Sequence, residues 1–101
     1  MRDPEVMTQV KATLAELVKR APGRAIEVRI PPYAAIQCGD GPTHTRGTPP
    51  NVIEMDASTW LALCAGDLNW QDACNSGKVI GIMSGVNLEK YFPLKGDKNV
   101  N

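Results

Sequence analysis

A net charge of one sign is the first thing this chain lacks. Its 101 residues carry 11 Lys and Arg against 11 Asp and Glu. That balance removes the main electrostatic case for a nucleic acid or an anionic surface as partner. Histidine is nearly absent, at one residue, and the three cysteines are odd in number and outside CxxC spacing. Neither a disulfide framework nor a zinc site follows, and no metal or other cofactor is expected. No stretch approaches the roughly 18 apolar residues of a membrane span, so integral membrane association is not expected. The opening Met1-Arg2-Asp3-Pro4-Glu5 has no apolar signal core, which points to the cytoplasm. Aromatic residues make up only 5%, with two Trp and one Phe, so each large ring is worth placing.

What is present is an ordinary globular balance, 43% apolar and 22% charged, enough for one small core. Asp3-Pro4 reads as a helix cap followed by proline in the first turn. Met7, Val10, Leu14, Leu17 and Ala21 then recur at spacings of three and four, and Pro22-Gly23 stops the helix. Ile26, Val28 and Ile30 alternate with Glu27 and Arg29, as in a half-buried strand. After Pro31-Pro32, Ala34, Ile36 and Cys38 share one face of a second strand, antiparallel to the first. Asn51 to Asp56 reads as a third strand.

The stretch Asp56 to Gly85 reads helix, turn, helix, strand. Asp56 caps a helix bearing Trp60, Leu61, Leu63 and Cys64, with Gly66 as its left-handed stop. Asn69 caps a second helix bearing Trp70, Ala73 and Cys74 and ending at Gly77. Val79, Ile80, Ile82 and Met83 follow as a short apolar strand, expected to be buried on both faces. The echo between Trp60-x3-Cys64 and Trp70-x3-Cys74 is read as packing, since its period is far too short for a solenoid. Asn87 to Phe92 predicts a short last helix before Pro93, and residues 1–94 are expected to form one domain with 95–101 as a flexible tail. Trp60, Leu63, Ile36, Val79 and Met83 are expected in one contiguous core.

Residues 39–50, GDGPTHTRGTPP, are the chemically richest stretch and read as a loop. His44 and Arg46, flanked by Thr43, Thr45 and Thr48, could receive a carboxylate or phosphate. Equally, the threonines could satisfy the loop's own backbone while Arg46 pairs with an acid such as Glu54. Catalysis is not expected, because the candidate nucleophiles Cys38, Cys64 and Cys74 have no local motif that includes His44.

The order of elements, together with TWLALCAGDLNWQDACNSGKVIGIMSG, resembles the sterol carrier protein type 2 superfamily. Asp56, Trp60, Leu61, Gly66, Leu68, Ala73, Gly77, Lys78, Val79, Ser84 and Gly85 carry that likeness. PGRAIEVRIPPYAAIQC and HTRGTPPNVIEMD are similar to its small bacterial orthologue branch, found in actinobacteria. The resemblance implies an α+β fold, with a five-stranded, mainly antiparallel sheet and helices packed on one side. It also implies a non-catalytic binding module for a lipid, fatty acyl or sterol-like ligand. His44, Arg46, Thr48, Ile36, Trp60, Met83 and Phe92 are the candidate ligand-binding residues. An assembly domain without a pocket, a homodimer among its forms, is the alternative, as is an accessory domain like that of mycothiol-dependent isomerase-like proteins.

A magnitude limits the pocket. Holding about 300 Å³ open would cost on the order of 7 kcal/mol at the slope found for core cavities, against a total stability of about 5 to 15 kcal/mol. A permanently empty tunnel is implausible on that scale, which leaves a shallow groove, a ligand-filled pocket, or a site completed by a second subunit.

Overall fold

The structure is a computed structural model that describes residues 3–40, 51–81 and 88–94. The first helix, α1 (Pro4–Arg20), starts where the sequence says it must. The Asp3 carboxylate accepts from the amides of Glu5 and Val6 at 2.9 and 3.3 Å, and Pro4, which has no amide hydrogen to satisfy, follows it. Its inward stripe is Val10, Thr13, Leu14 and Leu17. On the outside Arg20 pairs with Glu16 one turn back at 2.8 Å.

The chain then forms β1 (Ile26–Ile30) and β2 (Ala34–Cys38), an antiparallel pair with Val28 opposite Ile36. Strand β3 (Asn51–Glu54) runs parallel to β1, with Val28 opposite Ile53, and β4 (Ile80–Gly81) closes antiparallel on β3. The order is β2-β1-β3-β4. The expected five-stranded, mainly antiparallel sheet is therefore corrected to four strands among the described residues, in a mixed sheet. The parallel pairing has a plain cause: Cys38, which ends β2, and Asn51, which starts β3, both flank Ile26, so β3 starts at the end of the sheet where β2 stops and runs against β2, hence alongside β1.

Burial alternates along β1: Val28 and Ile30 are fully buried, whereas Arg29 is exposed. One face therefore packs against the apolar stripe of α1 and against α2 (Ala57–Ala65), and the other faces water. Cross-strand register puts Ala35, Arg29, Glu54 and Ile80 in one row across the open face, all exposed. Arg29 holds Glu27 there at 2.7 Å. This corrects the expectation of a doubly buried strand after Val79. Val79 is buried, but Ile80 is 63% exposed, because it lies on the uncovered face of a terminal strand. At Gly81 (φ +144°) a Cβ would overlap the Val52 carbonyl oxygen, so only glycine lets β4 approach β3 so closely.

Helices α2 and α3 (Trp70–Asn75) also follow their local signals. Asp56 accepts from Thr59 N at 2.8 Å, and Asn69 from Asp72 N at 2.8 Å. The Thr59 amide holds the Asp56 carboxyl below the usual carboxylate range. Gly66 ends α2 in the left-handed conformation, φ 86°. The expected last helix is a single 3-10 turn, Glu89–Tyr91.

One core cluster joins α1, the sheet, α2, α3 and the terminal segment. Trp60, Leu63 and Val79 belong to it as expected, and Ile36 packs against it half-buried. Met83 and the proposed tail lie outside the described residues. Leu63 is fully buried, so Leu63→Ala should cost roughly 2 to 5 kcal/mol. Urea unfolding checks this, and a loss below about half a kcal/mol, the size of a surface substitution, would displace Leu63 from the core.

Candidate functional site: a three-ring cluster under the terminal segment

Three of the chain's few rings meet on the helix side of the sheet. Trp60 comes from the first turn of α2, and Trp70 opens α3. The Gly66 stop folds α3 back so that both indoles face the segment 88–94. Phe92 of that segment is in ring contact with both. Its ring is edge-on to Trp60 (centroids 5.7 Å apart, interplanar angle 79°) and nearly parallel to Trp70 (6.0 Å, 17°). Both geometries suit the quadrupoles of the rings. Leu88 and Leu94 are buried on either side, and the Leu94 amide donates to the Cys64 carbonyl at 2.9 Å.

Trp60 is fully buried, so its indole N–H needs a protein acceptor. That acceptor is the Thr13 hydroxyl of α1, at 2.7 Å. Thr13 in turn donates to the backbone of its own helix, with Gln9 O at 2.7 Å and Val10 O at 3.0 Å. This buried ring donor is thus satisfied by a residue whose own hydroxyl hydrogen stays within α1.

Of the residues expected to bind a ligand, the structure brings together Trp60 and Phe92. Ile36 packs half-buried against the same core cluster. Ile36 lines a separate shallow surface hollow of about 380 Å³ with Glu27, Ala35 and Gln37. A second hollow, about 330 Å³, lies on the open sheet face by Arg29, Pro31, Pro32, Tyr33 and Glu54. His44, Arg46, Thr48 and Met83 lie outside the described residues. Trp70 was read from sequence as packing only. Its ring contact with Phe92 was signalled by the scarcity of rings, but no local pattern joins them.

The three thiols are free. Burial pushes Cys38 up to about 11 and Cys64 to about 12, the latter despite the Thr13 hydroxyl close by. Cys74 is raised by burial and by Glu89. Among the described residues no group of three His, Cys, Asp or Glu is placed to hold a metal ion, and no helix is long and apolar enough to cross a membrane.

A family model described as Bacterial SCP ortholog matches residues 2–94. The chain belongs to that family. It is a small bacterial sterol carrier protein-like family, and the match takes in every described element. Comparison with curated proteins returned no match.

Two outcomes follow from this geometry. Thr13→Val keeps the shape but leaves the Trp60 N–H buried and unpaired, so it should cost about 1 to 3 kcal/mol in chemical denaturation. The thiols predict alkaline sensitivity. Their folded pKa values lie above the ordinary value of 9.0, so the stability they contribute is complete below about pH 9 and is lost as pH rises through the folded values. Unfolding free energy should fall from about pH 9 upward, and less steeply in Cys64→Ala.

Proposed function

We propose that this chain is a non-catalytic binding module for a small apolar or amphipathic ligand of lipid, fatty acyl or sterol-like character. The observation that carries this reading is the convergence of Trp60, Trp70 and Phe92 on the helix side of the sheet. They form a packed aromatic cluster of the side-chain type that small-molecule sites use. Membership of a sterol carrier protein-like family supports it. The thiol environments argue against cysteine chemistry, because burial favours the protonated, unreactive form. In this reading Arg46 and His44, with Thr48, accept the polar end of the ligand, and Ile36 and Met83 extend the apolar lining.

The second reading, an assembly domain that packs as a homodimer, is favoured by one observation: Ile80 stands 63% exposed in the row with Ala35 on the open sheet face. The two readings separate in one experiment. Titration calorimetry of oleate and oleyl alcohol into the full chain should show both binding, with indole fluorescence changing in step. Arg46→Ala should weaken oleate by about 1 to 3 kcal/mol and leave the alcohol unchanged. No binding of either, with a dimer in sedimentation, would replace the binding module by the assembly domain. Binding with no dependence on ligand charge would make Arg46 a loop brace.

A further inference from the structure

The open face of the sheet carries a pattern that covering the core does not require. One row crosses all four strands, Ala35 on β2, Arg29 on β1, Glu54 on β3 and Ile80 on β4, and every residue of it is exposed. Along the row the charge runs neutral, positive, negative, neutral. The two neutral ends differ in shape. Ala35 is small and lines both surface hollows, of about 380 and 330 Å³. Ile80, among the described residues, is the one large apolar side chain left exposed. The row thus has a hollow at one end, a knob at the other, and opposite charges between them.

Such a row is complementary to itself turned end for end. A two-fold axis parallel to the strands, passing between β1 and β3, lays a second copy face to face on the first with its row reversed. Arg29 then meets the partner's Glu54, and Ile80 meets the partner's Ala35, each contact occurring twice. A two-fold axis along the row would instead set Arg29 on Arg29 and Glu54 on Glu54, and like charges so placed repel. The neighbouring row obeys the same reversal. Gln37, Glu27 and Val52 follow one another there, so Glu27 comes over Val52 and not over a second carboxylate. Packed sheets cross at about 30°, which displaces the ends of a row more than its centre. The charged residues are central, and their side chains are long enough to follow.

The charged groups have the capacity for these contacts. Arg29 donates its Nε to Glu27 at 2.7 Å, and the outer nitrogens of a guanidinium carry further N–H donors. The Glu54 carboxylate makes no hydrogen bond or ion pair among the described residues. We propose that the open sheet face is a homodimer interface of two-fold symmetry, closed by reciprocal Arg29–Glu54 pairs at its centre and by Ile80 seated on Ala35 at either end. This rests on the homodimer of the second reading above and gives it a surface and an axis, while the helix side stays free for a ligand. The face is small. Four strands about 4.8 Å apart, with five residues of about 3.3 Å each in the longest, project on the order of 300 Å². Even doubled for side-chain relief, that is below the roughly 800 Å² per partner of a stable complex, so the dimer belongs to the weak class.

Sedimentation equilibrium of the full chain tests this from about 10 µM to about 1 mM, the range in which a weak interface titrates. Wild type should pass from monomer to dimer. Glu54→Lys and Arg29→Glu should each weaken the dimer about tenfold or more, because each sets like charges together at both central positions. Mixed in equal amounts, the two variants should dimerise with each other, since in the mixed pair each new charge meets its opposite. Ile80→Ser, which removes the knob and leaves the charges alone, should also weaken the dimer about tenfold, and with Glu54→Lys it decides the matter if Arg29→Glu does not fold. A wild type that stays monomeric throughout would overturn the interface and the homodimer reading together. A wild-type dimer that Glu54→Lys and Ile80→Ser leave unchanged would overturn this interface and leave the homodimer standing on another surface. Variants that are monomeric alone and stay so when mixed would overturn the reversed pairing.

Discussion

The hydrogen bond from the Trp60 indole to the Thr13 hydroxyl is the constraint around which this fold is arranged. Trp60 is large and wholly buried, so its position decides where α2 lies; its donor is polar, so α2 is held in register with α1. A leucine stripe alone would tolerate α2 sliding along α1 by a fraction of a turn. A buried donor with one acceptor at 2.7 Å does not, because a displaced indole leaves an unpaired N–H in the core. Fixing α2 fixes the Gly66 stop, the start of α3 at Trp70, and the Cys64 carbonyl that receives Leu94. The three-ring cluster is in that sense downstream of Thr13.

What could be read from sequence was what local chemistry decides. Asp3, Asp56 and Asn69 cap the helices assigned to them, and Gly66 and Gly77 take positive φ at 86° and 80° as their stops require. These depend on neighbours within one turn. The alternation along Ile26–Ile30 and Ala34–Cys38 gave the first two strands and their antiparallel pairing for the same reason. The parallel pairing of β1 with β3 was not legible, since nothing in Val52-Ile53-Glu54 states which side of which strand it will join. Ile80 was misplaced because an apolar run cannot say which face of a sheet its helices leave bare.

The candidate site was legible in its members more than in its arrangement. Trp60 and Phe92 were singled out separately, and Trp70 was assigned to packing. Their meeting is a tertiary fact, made by the turn at Gly66 and by the docking of Leu94 on Cys64. Ile36 was grouped with them because it is apolar and faces the core side of β2. It packs against the cluster half-buried, at a hollow of its own.

The sheet divides the chemistry of the molecule in two. Its open face carries Glu27 and Arg29 as an ion pair beside Glu54, with Ile80 exposed in the same row as Arg29 and Glu54. The covered face carries Val28, Ile30 and Ile53, all fully buried, and above them the helices. The sheet's backbone hydrogen bonds close off the three rings on one side, and Trp60 and Thr13 lock α1 to α2 on another. Among the described residues a further side is covered by the segment 88–94, a single 3-10 turn whose flanking Leu88, Phe92 and Leu94 pack on the core. The bond that holds α2 against α1 therefore also fixes the place where that segment docks, since the Cys64 carbonyl of α2 receives the Leu94 amide.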